Sequence, residues 1–289
     1  VFHPSDHDVE LSEEEFRLLR DFIHERFGIH FDDSQRSLLR SRLTGRLSGL
    51  GLASFEDYYH YLRFSPGRSE ELARMISHLT NNETYFFREQ AQLQVFADCV
   101  LRSLRERKLR SGERAVRILS AGCSTGEEAM SIAMIVFDSG QFFWNWEVQI
   151  TGLDVDAAAL EKARRGLYYH NSLRGMGPAL LEKHFVKKGT GIEVKDAIRR
   201  MVRLREGNLL EPASYEGLAP LDAVFCRNVL IYFSDVTVQR AVRLFHDALA
   251  PGGYLLLGHA ESLSRITDAF VPIRFPGAMV YQKPEGPRR

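Results

Sequence analysis

Residues 118–128 read Ile-Leu-Ser-Ala-Gly-Cys-Ser-Thr-Gly-Glu-Glu, a β-rich run that passes into a helix through small side chains. Ala121 and Gly122 leave room for a ligand to approach the backbone, and in an open α/β sheet this first strand-to-helix turn is the usual binding place. The class of ligand is narrowed by what the turn lacks. A dinucleotide fingerprint needs G-x-G-x-x-G, and only Gly122 and Gly126 are present; a phosphate loop needs Gly-Lys-Ser/Thr, and here Glu127 and Glu128 follow Gly126. Those acids disfavour a phosphate-rich ligand and suit one bearing a cation or an amino group. The competing explanation is that they only complement the positive end of the helix. Asp154 closes the next β-rich run, where an acid can accept from both hydroxyls of a ribose. Asn208, after the run 201–205, falls at the end of a third strand, within reach of an adenine edge or simply in a loop. Residues 226–233, Cys-Arg-Asn-Val-Leu-Ile-Tyr-Phe, then place an Arg, an amide and a Tyr at the mouth of the cleft. An Arg directly after a buried strand is uncommon, which gives Arg227 more weight than a surface charge.

The elements that must hold these residues come in two kinds. Residues 1–80 read as an all-helical domain: Ser12 and Glu15 form a capping box, and Phe16, Leu19, Ile23 and Phe27 share a face. A second helix over 34–48 carries Leu39, Leu43 and Leu47, a third ends before Pro66, and a fourth carries Leu72, Met75, Ile76 and Leu79. Residues 81–110 are expected to be a linker and connecting helix. From 111 to 289 strands over 116–120, 148–153, 221–226 and 254–258 alternate with helices, which predicts an α/β domain with a parallel sheet covered on both faces. Runs over 270–275 and 278–282, joined by Pro276-Gly277, predict an antiparallel hairpin at the edge. Residues 183–205, with Gly189, Gly191 and many basic side chains, are expected to form an inserted β-subdomain.

Composition bounds the rest. The 38 basic and 38 acidic side chains balance, which argues against a general nucleic-acid binder, and 44% hydrophobic residues suit a folded chain. The longest apolar stretch, 129–137, is far shorter than the ~20 residues needed to cross a bilayer, so no membrane insertion is expected. The first residues lack the pattern of a secretory signal, and a cytoplasmic place is expected. Cys99, Cys123 and Cys226 give neither a disulfide framework nor paired zinc spacing. His3, Asp6, His7 and Asp8 have metal-ligand chemistry but sit in a terminus, and no metal is expected; Met130 and Met134 read as core.

Four blocks, 79–89 (Leu-Thr-Asn-Asn-Glu-Thr-Tyr-Phe-Phe-Arg-Glu), 120–128, 153–156 and 225–233, together resemble the chemotaxis receptor glutamate O-methyltransferases, the CheR family, over almost the whole chain. The resemblance implies a Rossmann-like S-adenosylmethionine-dependent domain after the helical one. It assigns Asn82, Thr84 and Arg88 to the cofactor, Glu128 or its neighbour Glu127 to the methionine moiety, and Asp154 to the ribose, with Ala121, Gly122, Asn208, Leu209, Arg227 and Asn228 completing the pocket. Arg88, Arg227 and Tyr232 are then the groups that position the reacting atoms, with Tyr232 beside the methyl group. The acceptor carboxylate, with a pKa of roughly 4.3, is ionised at neutral pH and needs no general base. Arg36, Arg40, Arg42 and Arg46 on the second helix would register the acidic methylation helices of a methyl-accepting receptor's cytoplasmic domain, or else form a solvated face. The inserted β region looks short for holding a receptor peptide, so recognition of the receptor helix itself is expected, by a monomer. Two other readings are nucleic-acid N-methylation, for which residues 225–233 lack an Asn/Asp-Pro-Pro-aromatic motif, and a sensing module that keeps the pocket without turnover.

Overall fold

A computed structural model describes residues 9–286, which divide into two compact units. The first runs to Asn81 and also includes Tyr232–Ser234. It holds α1 (Glu13–Phe27), α2 (Arg36–Leu50), α3 (Phe55–Phe64) and α4 (Arg68–Leu79). The expected capping box starts α1: Ser12 Oγ accepts from Glu15 N at 3.2 Å, while Glu15 Oε2 accepts from Ser12 N at 2.9 Å. Phe16, Leu19, Ile23, Leu39, Leu43 and Leu47 are buried, which is the apolar stripe that the helical spacing predicts. Tyr232–Ser234 extends the unit beyond the expected 1–80. His30 N donates to Tyr232 O at 2.8 Å, and Ile29 bridges to Phe233.

The second unit comprises Asn82–Ile231 and the chain from Asp235 on. It opens with α5 (Gln90–Val95), a π-helical turn (Phe96–Val100) and α6 (Leu101–Ser111). This stretch is the connecting helix expected within 81–110, and it is part of the core rather than a bare connection. Phe96, Val100, Leu101 and Leu104 are buried with Val116, Ile118 and Phe225, and Phe96 meets Phe225 edge-on at 4.9 Å. The chain continues through β1 (Ala115–Ala121), α7 (Glu127–Asp138), β2 (Glu147–Asp154), α8 (Ala157–Arg165), β3 (Leu167–Tyr168), α9 (Pro178–His184), β4 (Phe185–Lys188), β5 (Gly191–Val194) and α10 (Asp196–Arg199). It ends with β6 (Val202–Glu206), β7 (Leu221–Cys226), α11 (Asp235–Ala248), β8 (Leu249–Leu257), β9 (Val271–Phe275) and β10 (Ala278–Gln282).

The main sheet has the order β6-β2-β1-β7-β8-β10-β9. β6, β2, β1, β7 and β8 pair in parallel, and β10 runs antiparallel to β8 and β9, as the Pro276-Gly277 turn predicts. β7 is buried along its whole length, which fits a central strand covered on both faces. The small sheet has the order β3-β5-β4. Its bounds differ from the expected 183–205: it starts at Leu167, and Val202–Glu206 belongs to the main sheet, where Val202 pairs with Ile150. Val202–Glu206 is thus the third strand expected from the run 201–205; its alternating polar residues, typical of a half-covered edge strand, are what let the insertion's expected bound run over it.

Candidate functional site

β1, β2 and β7 are parallel neighbours, so their carboxyl ends bring the turns after Ala121, Asp154 and Cys226 to one edge of the sheet. After β1, Gly122 N and Cys123 N both donate to Leu153 O, at 2.8 and 3.1 Å. Gly122 has φ +76°, and a Cβ there would lie 2.5 Å from Val229 Cγ2, so only glycine lets the first and third turns approach. Asp154 is buried and accepts from Ser124 N at 2.6 Å and Asp156 N at 2.9 Å. Burial pushes its carboxyl above the usual range, although those backbone donors oppose the shift. Asn82 joins the same corner, donating to Asp156 Oδ2 at 2.8 Å and accepting from Ser124 Oγ at 2.9 Å.

The two acids after Gly126 differ in role. Glu127 accepts from Thr125 Oγ1 at 2.6 Å and Ser172 Oγ at 2.7 Å, so it ties local chain segments together. Glu128 instead accepts from Ser120 Oγ at 2.7 Å and faces Arg227, whose Nη1 is 3.3 Å from Glu128 Oε2. Burial raises the carboxyls of both; at Glu128 the Arg227 charge opposes the rise.

Arg227 is 6% exposed. Its Nη2 donates to Arg88 O and lies 3.4 Å from Glu89 Oε2, and its Nε is buried without a hydrogen-bond partner among the described residues. Glu89 accepts from Asn228 Nδ2 at 3.2 Å and contacts His259 Nδ1 at 2.7 Å. Burial would raise the Glu89 carboxyl, but the His259 contact, the Arg227 charge and the Asn228 amide outweigh it and hold the group below its usual value. Beside this cluster is a cavity of about 440 Å³ whose lining includes Glu89, Gln92, Gly258, His259 and Glu261. Phe87, Glu89, Ser124 and Asn228 all have positive φ, between 48° and 60°, an unfavourable backbone state for such residues. Backbone strain of this kind concentrates at binding and catalytic sites.

The structure thus brings together Asn82, Ala121, Gly122, Glu128, Asp154, Arg227 and Asn228. Thr84 is half-buried on the segment that follows Asn82. Arg88 lends its carbonyl to Arg227, while its guanidinium donates to Glu83 O at 2.9 Å and lies 5.8 Å from the Tyr85 ring centroid. Asn208 holds its own turn, accepting from Leu210 N at 3.0 Å, and Leu209 is buried beside it in sequence. Tyr232 groups with the helical unit.

The four arginines of α2 are not equivalent. Arg46 is spent inside its unit, with Nε 2.9 Å and Nη2 2.6 Å from the Glu71 carboxylate, which also accepts from Tyr58 Oη at 2.7 Å. Arg42 donates to Leu79 O, and Arg40 Nε donates to Val9 O at 3.0 Å. Arg36 is exposed.

Sequence reasoning passed over Glu89, His259 and Glu261. Glu89 stood inside a quoted block without a role, and the other two carried no signal because their partners lie far away along the chain.

Among the described residues no group of three or more His, Cys, Asp or Glu is placed to hold a metal; His3, Asp6, His7 and Asp8 lie outside them. The polar inventory fits S-adenosylmethionine. A buried arginine with an unmatched donor suits a carboxylate, while Glu128 and Asp154 suit an amino group and ribose hydroxyls.

Residues 82–278 match the model of the CheR methyltransferase S-adenosylmethionine-binding domain, and residues 14–80 that of the CheR all-alpha domain. The chain is 37% identical to chemotaxis protein methyltransferase 2 of Vibrio cholerae over 96% of its own length and 95% of the relative's. It is 38% identical to the chemotaxis protein methyltransferase of Escherichia coli, over 90% and 88%. With the probable biofilm formation methyltransferase WspC of Pseudomonas aeruginosa it shares 35% identity over 92% of its own length and 61% of that chain.

Proposed function

The chain belongs to the CheR methyltransferase family and is an S-adenosylmethionine-dependent methyltransferase of chemotaxis; from that premise we propose that it esterifies glutamate side chains on the cytoplasmic helices of a chemoreceptor. The observation that carries the site assignment is Arg227: a buried guanidinium at the end of β7, held by two carboxylates at 3.3–3.4 Å and with Nε unpaired. Most buried donors in a protein are matched, which makes an unmatched one at the carboxyl end of β7 notable. The spare capacity fits a ligand carboxylate, and we assign the methionine end of the cofactor to Arg227 and Glu128. The ribose falls to Asp154, and Asn82, Thr84, Ala121, Gly122, Asn208, Leu209 and Asn228 complete the pocket, with Glu127 holding the turn.

When bound, S-adenosylmethionine supplies a methyl carbon that is already electrophilic, so this chain's residues need chiefly align it with the acceptor oxygen. Such orientation is worth roughly 7–11 kcal/mol. No side chain need take a proton, because the acceptor glutamate is ionised at neutral pH. Arg88 and Tyr232 keep the positioning roles that the family resemblance gives them. On α2, Arg36 and Arg40 are the proposed receptor contacts, and Arg46 is assigned to the fold. The protein acts as a cytoplasmic monomer with no nucleic-acid partner; among the described residues no helix is long and apolar enough to cross a membrane.

The experiment is transfer of labelled methyl from S-adenosylmethionine to a receptor cytoplasmic fragment, followed by mild alkali. Label released as methanol establishes a carboxyl ester. Cofactor binding with no label on any receptor fragment would remove the proposed substrate and favour a sensing module.

A further inference from the structure

One carboxylate outside the matched motifs organises the loop that carries Arg227. Glu261 is 8% exposed, and its two oxygens take four backbone N–H groups. Oε1 accepts from Val229 N at 2.9 Å and Leu230 N at 2.7 Å; Oε2 accepts from Asn228 N at 2.9 Å and Gly258 N at 2.6 Å. Three of these donors are consecutive residues directly after Arg227. Successive N–H groups converging on one anion form a nest, normally a place where an external anion binds. Here the protein supplies the anion itself, from the loop that follows β8.

The arrangement depends on two unusual neighbours. Asn228 sits at φ +60°, a conformation costing on the order of 1 kcal/mol or more unless the surroundings hold it. Gly258 has no room for a side chain: a Cβ there would lie 2.8 Å from Glu261 Oε2 and 3.0 Å from Asn228 N. Glu89 completes the hold, accepting from the Asn228 amide at 3.2 Å and from His259 N at 3.2 Å. Glu261 therefore fixes the backbone of Asn228 and Glu89 its side chain. Arg227 donates to Arg88 O through Nη2, but its ion contacts are long and its Nε is unpaired among the described residues, so the peptide that follows it also sets its direction.

We propose that Glu261 is a positioning residue for methyl transfer, acting through the Arg227-Asn228 turn. This rests on the assignment of that turn to the cofactor.

The test uses Glu261→Gln, which keeps the shape but turns an NH2 group towards donors. S-adenosylhomocysteine is titrated calorimetrically to give affinity and sites per chain, and methyl transfer to a receptor fragment is expressed per site. Affinity should weaken ~10-fold or more, and the rate per site should fall ~10²-fold with the receptor KM unchanged. A merely structural role would lower the number of sites per chain while leaving affinity and rate per site as in the wild type, and that result would overturn the proposal. If Glu261→Gln does not fold, Gly258→Ala displaces the same carboxylate and carries the same expectations. Wild-type protein that fails to bind S-adenosylhomocysteine would bring down the site assignment and Glu261 with it. Wild-type binding with an unaffected variant would remove Glu261 alone.

Discussion

The two ends of β7 each carry a buried ion cluster, and they are built to opposite standards. At the amino end Asp222 is fully buried, and its carboxylate is met by Arg107 Nη2 at 2.7 Å, Lys108 Nζ at 3.0 Å and Arg117 N at 2.9 Å. At the carboxyl end Arg227 is held at 3.3–3.4 Å by Glu128 and Glu89 and donates to Arg88 O, and its Nε has no partner among the described residues. Only four residues of one strand, 223–226, separate a closed cluster from an open one. A closed cluster has nothing left to offer a ligand and serves the fold. An open one tolerates an unmatched donor, which costs stability in the free protein and becomes favourable when a ligand supplies the missing acceptor.

The sharpest way to break this contrast is at its closed end. Asp222→Asn should cost ~3–5 kcal/mol of stability, because it removes the buried charge that half-buried Arg107 and buried Lys108 share and leaves Lys108 only the more exposed Glu113. Denaturant unfolding reads that loss, and cofactor affinity per folded molecule should not move. Arg227→Met should weigh the other way, lowering methyl transfer ~10²–10³-fold with a smaller stability loss than Asp222→Asn, because Glu128, already raised by burial, can take up a proton once the charge is gone and Glu89 keeps His259 and Asn228. Equal stability losses in the two variants would erase the distinction.

Asp154→Ala comes next, weakening S-adenosylhomocysteine ~10–100-fold through lost charge-assisted bonds. A pH titration sharpens the same point. Burial raises the Glu128 and Asp154 carboxyls, so ionising them opposes folding; that penalty is full above the raised pKa and relieved as pH falls through it towards the unfolded value. S-adenosylhomocysteine affinity should therefore weaken on acidification in that window, while the cost of these two groups to the fold shrinks. Tyr232→Phe should keep the cofactor affinity and slow methyl transfer ~10-fold, about what one lost hydrogen bond is worth. The smallest effect expected is a few-fold rise in receptor KM for Arg36→Glu, since an exposed charge mainly steers encounter. An unchanged KM would return α2 to a solvated basic face.

The open end was legible because its donors are local in sequence: a small-residue turn after a β-rich run, an acid closing the next strand, and Arg227 after an apolar stretch. Helix periodicity likewise gave the four helices of the first unit. What escaped was everything set by pairing between distant segments. Glu261 looks like any acid in a polar loop until Gly258 and the turn after Arg227 are brought beside it. Arg46 has the same helical spacing from Arg42 that Arg40 has from Arg36, yet Glu71, 25 residues away, claims it. The strand Val202–Glu206 follows the reading of 201–205 as a third strand, and it is the upper bound of the insertion, expected to reach 205, that its alternating charges blurred.

The most direct measurement is calorimetric titration of S-adenosylhomocysteine into wild type, Asp222→Asn and Arg227→Met under one set of conditions. Equal affinity for wild type and Asp222→Asn, with at least ~10-fold weaker binding to Arg227→Met, is the result that follows from an open cluster at the carboxyl end of β7. Undiminished binding to Arg227→Met would contradict it.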